Sequence, residues 1–177
     1  MSKKRLSARW ITQTAVLLAL LIALQSITKP FGQYVTGSCV NAVLALAVLV
    51  AGWGSGLTVA LVSPLLAFFL GIAPNPFAVP AIMVGNAVYV ALLRWICGNC
   101  RKFWRMAVGW IAAAAGKFAT LYFVVVVLIC NVFADKIGKA AKVLQATFSW
   151  PQLITALIGG AVALSVTPIL KKVLKKQ

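Results

Sequence analysis

Histidine is missing from this chain, and Asp135 is the only acidic side chain among 177 residues. Paired carboxylates for acid–base work, a Ser-His-Asp nucleophile, a two-carboxylate metal site and an intramembrane proton relay each need residue types that the sequence lacks. A glycine-rich phosphate loop ending in Gly-Lys-Ser or Gly-Lys-Thr is also absent, so any energy from ATP has to come from another chain. An enzyme is not expected. Charge is scarce as well. Charged residues make up 10% of the chain and hydrophobic residues 63%, with a mean hydropathy of +1.01. An ordinary soluble domain holds about 25% charged and about 45–50% apolar residues, so this composition excludes one.

What is present is a series of long apolar blocks without the polar interruptions of a water-facing helix, which makes lipid the natural solvent. A hydrocarbon core about 30 Å thick takes roughly 20 residues per crossing. The expected spans are Trp10–Ile27, Cys39–Trp53, Leu57–Gly71, Ala78–Cys97, Met106–Asn131 and Pro151–Leu170. The fold expected is therefore an all-α membrane protein, a compact bundle of six transmembrane helices forming one integral membrane domain over residues 1–177. Spans two and three are short, at roughly 22 Å each by the helical rise, and form a hairpin through Gly52-Trp53-Gly54-Ser55-Gly56. Ser63-Pro64 predicts a kink in span three.

The net charge of +16 would point to nucleic acid in a soluble protein, but the basic residues cluster at the ends of the apolar blocks, so no nucleic-acid partner is expected. With the amino terminus inside, Lys3, Lys4, Arg5, Arg9, Arg94, Arg101, Lys102, Arg105, Lys171, Lys172, Lys175 and Lys176 fall on the cytoplasmic side. Lys29, Lys136, Lys139 and Lys142 fall outside, and Lys117 stays within the membrane. The asymmetry and the two basic termini require an even number of crossings and place both termini in the cytoplasm. The basic start, Met1 to Arg9, lacks a small-residue cleavage site and is read as leading into a retained first helix. The outer connections are then Thr28–Ser38, Ile72–Phe77 with its Ala73-Pro74-Asn75-Pro76 turn, and Val132–Trp150, and function is expected on that face.

Lys117 is the sharpest single residue. An ionisable group inside a span is costly in lipid and has two readings. Its ammonium can snorkel or bond backbone carbonyls, or it can meet an anion or acceptor. Thr120, Val124 and Asn131 lie within about 60° of it at the helical pitch, which predicts a polar stripe running to the outer surface. Asn86 and Tyr89 on span four, and Gln152 and Thr155 on span six, supply further hydrogen-bonding groups that act either as interhelical contacts or as a ligand site. Tyr34, Phe148 and Trp150 can cover a ligand or anchor at the interface. Cys97-Gly-Asn-Cys100 has the spacing of a zinc or dithiol pair, but Cys39 and Cys130 fall near the opposite surface, and neither metal nor cofactor is expected.

Several stretches resemble a known family: Ala15-Val-Leu-Leu-Ala19-Leu-Leu-Ile-Ala23, Gly37-Ser-Cys-Val-Asn41, Ser63-Pro64-Leu-Leu-Ala-Phe-Phe and Pro80-Ala-Ile-Met-Val-Gly85-Asn86. The resemblance is to the substrate-binding S components of energy-coupling factor (ECF) importers for vitamins and trace nutrients, and it covers most of the chain. It implies a protein of a prokaryotic cell membrane that binds its substrate from outside and works with a transmembrane coupling subunit and two ATPase subunits. In that family an AxxxA pattern on the first helix packs on the coupling subunit, which Ala15, Ala19 and Ala23 satisfy here. Small residues four apart let helices approach closely in lipid. The implied pocket lies on helices four to six, where Asn86, Tyr89, Lys117, Asn131 and Gln152 are the polar candidates. A cationic substrate would want buried carboxylates and a metal substrate would want His, so a neutral or anionic vitamin-like molecule is expected. The alternative from another class is a non-transporting scaffold or assembly subunit whose polar residues only hold helices together.

Overall fold

The computed structural model describes residues 8–72, 75–98, 103–133, 137–138 and 140–174. Among these it is all helix, without a strand. α1 spans Ala8–Thr28 and runs through a 3-10 turn, Lys29–Phe31, while α2 spans Gln33–Leu46 and continues as a π-helical turn, Ala47–Ala51. α3 covers Trp53–Phe69 and α4 covers Ala78–Leu92, prolonged by a π turn to Cys97. α5 covers Phe103–Leu121 and is prolonged through Tyr122–Ile129, again π-helical, to Val132. A short α6, Ala140–Thr147, precedes the long α7, Trp150–Leu174.

Five of these stretches are long and apolar enough to cross a membrane, and α3, with 17 residues, is a shorter apolar helix, which makes six. The helix count therefore agrees with hydropathy, but several connections are tighter than expected. The stretch Thr28–Ser38 is not a loop: the chain turns from the 3-10 segment into α2 at Gly32 alone, and α2 starts at Gln33 rather than Cys39. The glycine-rich run at 52–56 likewise contracts to Gly52, because Trp53 to Gly56 already belong to α3. Gly32 and Gly52 have φ of 86° and 97°, a conformation that a Cβ disfavours, so each turns the chain within one residue. In Val132–Trp150 the expected loop contains α6, which buries Leu144 against Val125 and Phe148 in a small apolar cluster. Ala73, Pro74, Cys100 and Asp135 lie outside the described residues, as do the terminal basic residues up to Arg5 and from Lys175 on.

The helices alternate in direction. At one end, Lys29 after α1 donates to the Gly71 carbonyl after α3 at 2.8 Å, and Phe77 before α4 stacks on Phe133 after α5 with ring centroids 5.6 Å apart. α2 and α7 both start at this end and run parallel: Gly37 lies beside Thr155, and Ser38 and Asn41 lie beside Gly159. α1 consequently begins, and α7 ends, at the opposite end of the bundle. The apolar core runs through the middle and joins Leu21 of α1, Leu44 of α2, Val59 of α3, Val90 of α4, Ala114 of α5 and Ala156 of α7. Polar contacts also join the helices. The Thr14 and Ser55 hydroxyls meet at 2.7 Å between α1 and α3, and Trp110 of α5 donates to the Leu157 carbonyl of α7 at 2.9 Å. Interhelical hydrogen bonds in lipid average only about 0.6 kcal/mol, so close packing of small residues carries most of the association.

A lysine-centred cavity as the candidate functional site

Lys117 sits near the end of α5, midway along the continuous helical stretch that α5 and its prolongation form, just past Gly116, whose missing side chain makes room for Leu92 of α4. This close approach of α4 and α5 brings Asn86 against the lysine. The Lys117 ammonium donates to Asn86 Oδ1 at 2.7 Å and to Asn41 Oδ1 of α2 at 2.6 Å, and only 3% of the residue is exposed. The ring of Tyr89 lies 5.6 Å from the ammonium, one turn below Asn86, and adds an electron-rich face. Tyr89 itself is fully buried and donates to the Ala156 carbonyl at 3.3 Å.

Each amide is held from behind. Asn41 Nδ2 donates to Thr155 Oγ1 at 3.3 Å, and Thr155 in turn donates to the Gln152 carbonyl at 3.2 Å. Asn86 Nδ2 points to the Ala60 carbonyl of α3 at 3.5 Å, the long end of the hydrogen-bond range. That carbonyl is available because the residue four positions on is Pro64, which has no N–H to give it. The proline expected to bend α3 thus lies within a continuous helix and leaves an acceptor for α4. An ammonium has only donors, so both amides must turn their oxygens to it. Asn86→Leu removes one charged hydrogen bond and is expected to cost about 1.5–3 kcal/mol. Thermal unfolding in detergent should show a lowered midpoint, and an unchanged one would refute the buried contact.

Above this cluster lies a cavity of about 320 Å³. Its walls come from the outgoing end of α1 (Gln25, Lys29), the start of α2 (Gln33, Thr36, Gly37, Val40, Asn41) and α3 (Ser63, Pro64, Ala67). α4 gives Ile82 and Asn86, α5 gives Lys117 and Leu121, and Val143, Thr147, Phe148 and Gln152 close the side of α6 and α7. The volume is at the low end of the range of about 300–1,000 Å³ typical of small-molecule sites. All these wall segments belong to the end of the bundle opposite the start of α1.

Of the residues singled out by sequence, Lys117, Asn86 and Gln152 line this cavity, and Tyr89 lies behind the ammonium without lining it. Gln152 Nε2 donates to the Thr147 carbonyl at 3.2 Å and so ties α6 to the start of α7. Asn131 is not brought to the site. It is exposed and its amide returns to the Val127 carbonyl of its own helix at 2.6 Å. The reason is the i→i+5 hydrogen bonding over Tyr122–Ile129, which puts extra residues into each turn and carries Asn131 round from the Lys117 face. Phe148 is buried in the cavity wall, whereas Tyr34 and Trp150 are exposed on the outside of the bundle, with Trp150 stacked on Phe118.

Asn41, Gln25, Gln33 and Thr36 are wall residues that the sequence reading did not select. The signal for Thr36, Gly37, Val40 and Asn41 is their i, i+1, i+4, i+5 spacing, which forms one face only if the helix begins at Gln33. Gln25 Oε1 and Thr36 Oγ1 are buried and have no hydrogen-bond partner among the described residues. Such atoms are uncommon in protein interiors. Among the described residues no cysteine lines the cavity: Cys97 is buried with Sγ 3.7 Å from the Met106 carbonyl, and Cys130 points to the Ala141 carbonyl. Among the described residues no group of three or more metal-ligating side chains converges.

On α1, Thr14, Leu17, Leu21 and Gln25 face the bundle, whereas Ala15, Ala19 and Ala23 are exposed. The small-residue stripe is therefore left uncovered by the described helices. Neither a curated protein nor a solved structure matches the chain. Residues 9–171 match the family described as ECF transporter, substrate-specific component. Substrate-specific components of this kind work with a coupling subunit and ATPases and are not enzymes. With nearly the whole chain covered, this protein belongs to the substrate-specific components of ECF transporters.

Proposed function

We propose that this chain captures a neutral or anionic vitamin-like molecule with high affinity at the outer face of a prokaryotic cell membrane and delivers it through a coupling subunit driven by two ATPase subunits. The observation that carries the reading is the Lys117 cavity, a walled space with a charged, hydrogen-bonding floor at one end of the bundle. The charge asymmetry of the sequence assigns that end to the outside, because the opposite end receives the start of α1 and the end of α7 with their flanking lysines and arginines. On this reading residues 1–177 act as one membrane domain, Asn41, Asn86, Lys117 and Gln152 contact substrate, Tyr89 supports the ammonium, and Ala15, Ala19 and Ala23 meet the coupling subunit.

Purification in mild detergent followed by mass spectrometry of the material released on denaturation tests the capture function. A single small molecule recovered at about one per chain is the expected result. An empty protein from cells grown in several media would instead favour a scaffold whose polar residues only join helices.

A further inference from the structure

We infer that the molecule held in this cavity is an organic acid, bound as its anion with the charged group against Lys117. The inference rests on the capture function proposed above and narrows its substrate to one chemical class.

Charge bookkeeping around the lysine is the starting point. An ammonium has three N–H donors, and two of them go to the oxygens of Asn41 and Asn86. The third has no acceptor among the described residues, and Lys117 belongs to the cavity wall. Amides lend dipoles and no charge. The described residues contain no acidic side chain at all, since Asp135 is the only one in the sequence and lies outside them. A buried charge in a low-dielectric interior is costly unless an opposite charge meets it.

The two amides cannot relieve this by turning. Asn41 is held by Thr155, and Asn86 is held by the carbonyl that Pro64 leaves free, so their oxygens stay on the ammonium. At its deep end the cavity therefore presents the N–H donor of a buried amine with no carboxylate beside it. A cation there would oppose the ammonium form, a neutral molecule would do nothing to stabilise it, and an anion would hold it in place by charge. An anion completes the site. The mouth has the same sign, because Lys29 lines it and is held to the Gly71 carbonyl, so the approach path favours anions as well.

Between the two lysines the wall is largely apolar, with Val40, Pro64, Ala67, Ile82 and Leu121. Thr36 and Asn41 are five residues apart on α2, which places the anion site about 7.5 Å deeper along the helix than Thr36. At about 320 Å³ the cavity is at the low end for small-molecule sites. The occupant is accordingly a small acid with an apolar body, its anionic group at the bottom.

The decisive variant is Asn41→Asp. It supplies Lys117 with a carboxylate of the same shape, and the Thr155 hydroxyl can reverse to donate to it, so the fold is expected to persist with an unfolding midpoint at or above that of the wild type. The compound released by denaturing the purified wild-type protein is identified by mass spectrometry, and it and its methyl ester are titrated back onto emptied wild-type and Asn41→Asp protein. The expected result is an acid whose affinity falls about 10- to 100-fold on esterification and again in folded Asn41→Asp. A neutral or cationic occupant overturns the inference and leaves the capture function standing, as does an acid that binds equally well as its ester. A wild-type protein that releases nothing overturns both.

Discussion

Gly159→Leu is expected to leave no monodisperse protein in detergent extracts, whereas Val162→Leu, on the exposed face of the same helix, purifies like the wild type. A Cβ on Gly159 would meet the Ser38 carbonyl, with the Ala42 nitrogen and Asn41 Cβ each 2.7 Å away. Two of these are backbone atoms of α2 that no rotamer change can move. Overpacking a well-filled interior costs about 1–3 kcal/mol even where side chains can adjust. Here the whole of α7 would have to move off α2, and α2 and α7 carry Asn41 and Gln152, two walls of the cavity. Gly159→Ala is the graded version: a lowered unfolding midpoint together with weaker ligand binding, read by thermal denaturation and titration. A Gly159→Leu protein with wild-type yield and midpoint would show that α2 and α7 do not pack this closely.

Ala19→Trp is expected to abolish co-purification with the coupling subunit and its ATPases while the isolated chain keeps its fold and its bound molecule. Ala19 is exposed on α1, with Ala15 one turn before it and Ala23 one turn after, so an indole there collides with nothing inside this chain. It would hold a partner helix off the close approach that small residues four apart permit. The pairing of two readouts matters. Loss of assembly with the ligand retained assigns the stripe to the coupling subunit, and unchanged assembly places the interface on another face of the bundle.

Much of the architecture was legible in the sequence, since hydropathy and end charge are properties of each segment by itself. Six apolar blocks gave six helices because lipid requires every backbone polar group to be satisfied within its own segment. The errors lay in connections. The stretch from Thr28 to Ser38 contains Lys29, Pro30, Gly32, Gln33 and Ser38 and looks like a loop by composition, yet a polar helix turn is allowed where it faces a cavity. Misplacing that start hid Thr36 and Asn41 from the site.

Lys117 was conspicuous from its charge in an apolar run, and Asn86 and Gln152 from their amides, because polar groups in a span are rare and need partners. Which of them would meet was not decided by any one segment. Asn131 occupies the right helix and the right α-helical phase, and the π-helical stretch before it turns it away. Asn41 and Asn86 reach the same ammonium from residues 76 and 31 positions away. Sequence by itself determined the solvent, the number of helices and the presence of one lysine inside a span with a single acidic residue in the whole chain. The tertiary structure decided what that cation touches, because the meeting of three side chains depends on the depth and rotation of three helices at once. Those are set by glycine contacts such as Gly116 and Gly159 and by the carbonyl that Pro64 leaves open, all of which exist only after packing.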